Sequence, residues 1–150
     1  MNSKKNFRDS VKNIGTSLLS EGTTIRIKAH GYSMYPSIKP GSLIIIEPLR
    51  VKGDPVRGEI VAIKRENGLV VHRIVKILIK NGVRYYVARG DSNAYADHPV
   101  PASSIAGRVI KAEATGENPH PADIAINKRP SYFLNRIRVI FIMIRKKLGS

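Results

Sequence analysis

Ser33 is the first side chain in this sequence whose surroundings suggest chemistry. It lies in Gly31-Tyr32-Ser33-Met34-Tyr35-Pro36, between an alternating segment and a turn-forming proline, where a hydroxyl can be exposed at the edge of a sheet. A serine hydroxyl is a weak nucleophile, so it needs a base within hydrogen-bond reach, a group that orients the base and donors for the oxyanion. Ser33 alone therefore indicates little, and the rest of the chain must supply its partners.

A histidine is the usual base for such a serine, and the chain has four. His30 lies close to Ser33 in the sequence, whereas His98 and His120 each precede a proline. His72 differs because it lies within an apolar segment, residues 69–75. A histidine in an apolar strand is either a structural residue or a base held in place, and for a lone histidine the structural role is the commoner one.

Carboxylates that could orient a base are few, and two of them share one segment. Residues 89–97 contain Asp91 and Asp97 among Gly, Ser and Asn, a composition that also fits an ordinary surface turn. The absence of cysteine excludes disulfides, thiolate zinc sites and a cysteine nucleophile. The sequence thus predicts neither a metal nor a cofactor.

Short strands are the elements that must position these side chains. Residues 24–29 alternate with period two, and five further segments read as strands, at 42–46, 59–64, 69–78, 83–88 and 105–112. Asn67-Gly68 and Asn81-Gly82 are hairpin signals between successive strands. This pattern predicts a mostly β fold: a small, partly closed, antiparallel, barrel-like domain at 23–112.

The two ends of the chain read as basic amphipathic helices. The periodicity predicts a helix over 4–20 within an N-terminal unit 1–22, a loop at 113–130 and a second helix within 131–150. In the second helix Leu134, Ile137, Phe141, Ile144 and Leu148 form one stripe among arginines and lysines. With a net charge of +15, the helix suits an anionic membrane surface. Docking on the sheet or against a second copy is the alternative.

Five separated blocks occur in one order and together resemble the type I signal peptidase family. They are Gly-x-Ser-Met-x-Pro at 31–36, Arg-Gly-Glu-Ile-Val at 57–61, Val-His-Arg at 71–73, Gly-Asp-Ser-Asn-x-x-x-Asp at 90–97 and Gly-Arg-Val at 107–109. Within the wider superfamily of signal peptidases and LexA-like serine peptidases, the resemblance is greatest to the endoplasmic-reticulum and archaeal branch. That branch has histidine where bacterial members have lysine.

The resemblance implies a serine endopeptidase with Ser33 as nucleophile, His72 as general base and Asp97 as the residue that orients His72. Asp91 is implied as a supporting residue, with Arg73 or Arg89 as its partner. Met34 belongs to the nucleophile block. Gly31 stands where some members carry a hydroxyl residue that donates to the oxyanion.

The resemblance also implies an extended peptide or preprotein substrate, cut after small residues beside the edge at 26–30. No segment of the sequence is apolar and long enough to span a bilayer, so we expect a peripheral membrane association, with a cytoplasmic protein as the alternative. Other hypotheses are a soluble peptidase for one dedicated peptide partner, a DNA-binding LexA-like regulator and an inactive peptide-binding module. Only about two dozen residues precede the strands, too few for a helix-turn-helix domain, so nucleic acid is not the expected partner.

Overall fold

Seven strands, two α-helices and two short 3-10 helices are the regular elements in the described part of the chain. The computed structural model describes residues 14–66, 68–113 and 129–149. The helices are α1, helical over 14–21, and α2, Tyr132–Leu148. The strands are β1 (Ile25–Lys28), β2 (Leu43–Pro48), β3 (Ile60–Arg65), β4 (Gly68–Lys80), β5 (Val83–Arg89), β6 (Val100–Pro101) and β7 (Ile105–Glu113).

The strands form one open antiparallel sheet in the order β1-β2-β7-β3-β4-β5-β6. β1 and β6 are therefore its edges. Asn81 and Gly82, between β4 and β5, have φ angles of 51° and 74°, which suits a tight hairpin turn that follows the twist of the strands. Register shifts occur between β2 and β7, between β3 and β7 and between β4 and β5, and each accommodates an extra residue, twice in β7 and once in β4.

The central strand β3 is covered on both of its faces. Alternate residues of a strand point to opposite sides, so Ile60 and Ala62 enter one cluster of buried apolar residues while Val61 and Ile63 enter another. The first cluster includes Leu19 of α1, and the second is formed with residues of β4, β5, β6 and β7. Two small cores therefore fix the central strands from both sides.

The predicted mostly β, antiparallel fold is confirmed, and each predicted strand is present with ends shifted by a few residues. β6 was not predicted, because two residues show no periodicity. Residues 1–13 and 114–128 lie outside the described part, and with them most of the predicted first helix and of the loop at 113–130. The division into four segments stays a prediction.

We expect Ile63→Ala to lower the free energy of unfolding by about 2–5 kcal/mol, because the Ile63 side chain is completely buried and its removal leaves a cavity. Ile79→Ala is the matched control. Ile79 is 73% exposed near the tip of the β4–β5 hairpin, and its replacement should change stability by no more than about 0.5 kcal/mol. Denaturant titration measures both, and equal effects would contradict the assignment of Ile63 to the core.

Candidate active site

The turn that carries Ser33 is anchored by buried residues on one side of the serine. Gly31 has a φ angle of +76°, which glycine adopts without strain. The amide of Tyr35 donates to the Tyr32 carbonyl at 2.9 Å, and both Met34 and Ile38 are buried in the core. Met34 thus holds the turn to the domain, while Ser33 next to it is partly exposed.

A second turn, residues 90–92, holds the Ser33 turn from the other side. The Ser92 amide donates to the Ser33 carbonyl at 2.9 Å, and the Ser92 hydroxyl donates to the Tyr32 carbonyl at 2.6 Å. Gly90 allows this approach, since a Cβ there would lie 2.7 Å from the Ser33 carbonyl oxygen. The backbone of the candidate nucleophile is therefore fixed by contacts made 60 residues further along the chain.

His72, which is buried, pairs with Asp97, whose side chain is partly exposed. His72 lies on β4 opposite Val61 of β3, and its side chain is almost completely buried. Its Nδ1 lies 2.6 Å from Oδ2 of Asp97, whose own amide donates to the Ala88 carbonyl at 2.7 Å. A carboxylate at Nδ1 fixes the tautomer in which Nδ1 carries the proton, so that Nε2 is left as the acceptor.

Arg73 and Asp91 form a fully buried ion pair beside these residues. Arg73 donates from Nε to Oδ1 at 2.9 Å and from Nη2 to Oδ2 at 2.7 Å, and its Nη1 donates to the Gly58 carbonyl at 2.9 Å. The side chains are only 4% and 0% exposed. Arg73 follows His72 and Asp91 precedes Ser92, so this pair joins the strand that carries His72 to the turn that holds Ser33.

The start of α2 packs on the same loop. Asn135, which is buried, donates from Nδ2 to the Asp91 carbonyl at 3.1 Å, and the Arg89 guanidinium lies 3.9 Å from the centre of the Tyr132 ring. Burial of the Tyr132 phenol, with a smaller contribution from the Asp91 carboxylate, raises its pKa. Tyr132 therefore stays neutral near pH 7 and acts as a packing surface for Arg89.

The structure brings His72 and Asp97, the predicted base and its orienting residue, together and holds the candidate nucleophile Ser33 through the adjacent turn. Among the described residues, the Ser33 hydroxyl makes no hydrogen bond to His72, and the Ser33 amide has no acceptor. Hydrogen bonds of this kind often tighten only when substrate binds. The free amide can donate to an oxyanion, whereas Gly31 contributes no side-chain donor, and a Cβ there would meet nothing within 4 Å.

Three contributions were not predicted from the sequence. Ser92 and Gly90 hold Ser33, and Asn135 holds the Asp91 loop from α2. The block Gly-Asp-Ser carried a signal for the first two, but its glycine and serine are equally typical of any turn. Of the two arginines considered for Asp91, Arg73 is the partner, while Arg89 donates to the carbonyls of Asn93 and Ala94.

We expect Asp91→Ala to destabilise the fold by about 3–5 kcal/mol, because it leaves the Arg73 guanidinium buried without its countercharge. Asp54→Ala is the control, since Asp54 pairs with Arg84 at an exposed position and should cost no more than about 1 kcal/mol. Thermal and denaturant unfolding measure both variants. A small loss for Asp91→Ala would show that the pair does not hold the site together.

Comparison with known proteins gives one family. No curated protein matches the chain. A family model described as Peptidase S24-like matches residues 3–110, a span that includes Ser33, His72, Asp91 and Asp97. This supports the superfamily to which the sequence blocks pointed, that of LexA-like and signal-peptidase-like proteins. Because the match covers well over half of the 150 residues, the chain belongs to the Peptidase S24-like family.

Proposed function

We propose that the protein is a serine endopeptidase of the type I signal peptidase kind, with Ser33 as nucleophile, His72 as general base and Asp97 as the orienting residue. The observation that carries the proposal is the 2.6 Å contact between His72 Nδ1 and Asp97 Oδ2. Aligned in this way, the imidazole has one nitrogen committed to a carboxylate and the other free to exchange a proton, which a peptidase requires and a peptide-binding module does not.

The proposed reaction proceeds by acyl transfer. Ser33 Oγ attacks the scissile carbonyl carbon as its proton passes to His72 Nε2, and the oxyanion accepts a hydrogen bond from the Ser33 amide. The tetrahedral intermediate collapses, and His72 gives the proton to the leaving amine. Water, deprotonated by the same imidazole, then hydrolyses the ester and restores Ser33. The Asp97 carboxylate stabilises the imidazolium of His72 in both the acylation and the deacylation step.

The outer edge of β1 offers a place where an extended substrate can bind. Among the described residues β1 pairs only with β2, so its other edge is available for main-chain hydrogen bonds to a peptide. The chain continues from β1 through Ala29 and His30 to the Ser33 turn. A peptide added to this edge therefore runs toward the nucleophile. We propose a leader or signal segment cut after a small residue.

We expect Ser33→Ala to reduce cleavage of a leader peptide with alanine at the cut by roughly 10⁴- to 10⁶-fold, since the nucleophile is removed. Ser103→Ala is the control: Ser103 is an exposed residue of the turn before β7 and should leave the rate unchanged. Mass spectrometry of the products measures both. Equal cleavage by Ser33→Ala and the wild type would overturn the proposal, and peptide binding without cleavage by the wild type would favour the inactive module.

We expect Asp97→Asn to lower kcat by about 10⁴-fold with little change in KM, because the amide favours the wrong tautomer of His72 while substrate contacts persist. The same change at the exposed Asp54 is the control for the loss of one negative charge. A rise in KM at constant kcat would contradict the role given to Asp97, since it would assign that residue to binding.

A further inference from the structure

One side of α2 is committed to the domain. Tyr132 contacts Arg89, Asn135 binds the Asp91 carbonyl, and Lys146 Nζ lies 5.3 Å from the centre of the Tyr32 ring. Residues 132, 135 and 146 share one face of the helix, because residue 135 lies about one turn after residue 132 and residue 146 about four turns after it. The helix therefore lies along the loop at 89–94 and reaches the residue before Ser33.

The other side of α2 is apolar and faces outward. Seven residues, here the apolar face of α2, occupy about a third of the helix circumference: Phe133, Leu134, Ile137, Ile140, Phe141, Ile144 and Leu148. All of these are exposed except the half-buried Ile137, and Phe141 and Leu148 are 63% and 82% exposed. An apolar surface of this size left in water marks a place where something docks.

Basic residues border the apolar face on both sides. Helical spacing places Arg138 and Arg145 along one border and Arg136 and Lys147 along the other. α2 carries five arginines and lysines and no Asp or Glu. A second copy of α2 laid on this face would bring two sets of positive charges together, whereas an anionic bilayer offers acyl chains to the apolar face and headgroups to its borders.

The orientation of α2 relative to the bilayer follows from its contacts with the domain. None of the helices in the described residues is long and apolar enough to cross a membrane. α2 also keeps one side against the domain, so it cannot be surrounded by lipid. We propose that α2 docks the protein on an anionic bilayer by lying in the plane of the surface with its apolar face inserted among the acyl chains.

This docking would put the candidate active site beside the membrane. The helix that carries the apolar face also holds the Asp91 loop through Asn135, so the site lies next to the docked surface. That consequence rests on the proposed peptidase function, whereas the docking itself does not. Ser33→Ala should bind vesicles as the wild type does. Vesicle binding therefore tests the docking alone, and peptide cleavage tests the peptidase function alone.

The test is cosedimentation with vesicles at low salt. We expect the full chain to bind vesicles of phosphatidylcholine and phosphatidylglycerol, and Phe141→Asp to weaken binding about tenfold or more because it places a charge in the apolar face. Ile79→Asp makes the same change in net charge at an exposed apolar residue far from α2 along the chain, and it should bind as the wild type does. Equal binding by both variants would attribute the association to net charge and overturn the proposal.

Fluorescence gives a second measurement that does not depend on losing binding. The chain has no tryptophan, so Phe141→Trp introduces a single reporter. Its emission should shift to the blue when phosphatidylglycerol vesicles are added, while that of Ile79→Trp should not. An unshifted Phe141→Trp spectrum on bound vesicles would place α2 outside the bilayer. A dimer in solution that Phe141→Asp dissociates, with no vesicle binding, would identify a second copy as the occupant.

Discussion

The buried ion pair between Arg73 and Asp91 is the interaction on which the site depends. Two charges removed from water are tolerated only when their hydrogen bonds are satisfied, and here the bidentate contact and the Gly58 carbonyl satisfy them. Those bonds form only when β4, the 90–92 turn and the segment before β3 meet. Since His72 and Ser92 are the chain neighbours of the pair, the geometry that satisfies the charges also positions the proposed base His72 and the turn that holds Ser33.

Much of the fold was predictable because its signals are local. The Asn81-Gly82 turn, the alternation of β1 and the apolar run of β2 each act over a few residues, and the structure shows all three. The order β1-β2-β7-β3 was not predictable, because strand pairing across 60 residues depends on which faces bury one another. β3 illustrates this: its first four residues are all apolar, and only the two cores around them explain why both faces of that stretch are buried.

The candidate site residues could be named from the sequence, whereas the contacts that hold them could not. Ser33, His72 and Asp97 stood out through the order of the blocks, which is information about a family and not about geometry. The partner of Asp91 could not be chosen from the sequence, because Arg73 and Arg89 are both near it along the strands. The contact made by Asn135 was equally hidden: an asparagine inside a helix with one apolar face carries no sign of the carbonyl it will bind.

The arrangement of charge links the site to the outer surface of α2. The chain has 26 lysines and arginines but only 11 aspartates and glutamates. The carboxylates around the site are paired with basic side chains of the same chain. Asp91 pairs with Arg73, Glu59 with Arg108, and Asp97 lies 3.9 Å from Arg65 as well as against His72. α2 contributes only positive charge, so an anionic surface that neutralised it would act on the outside of the helix without competing with the site carboxylates for their arginine partners.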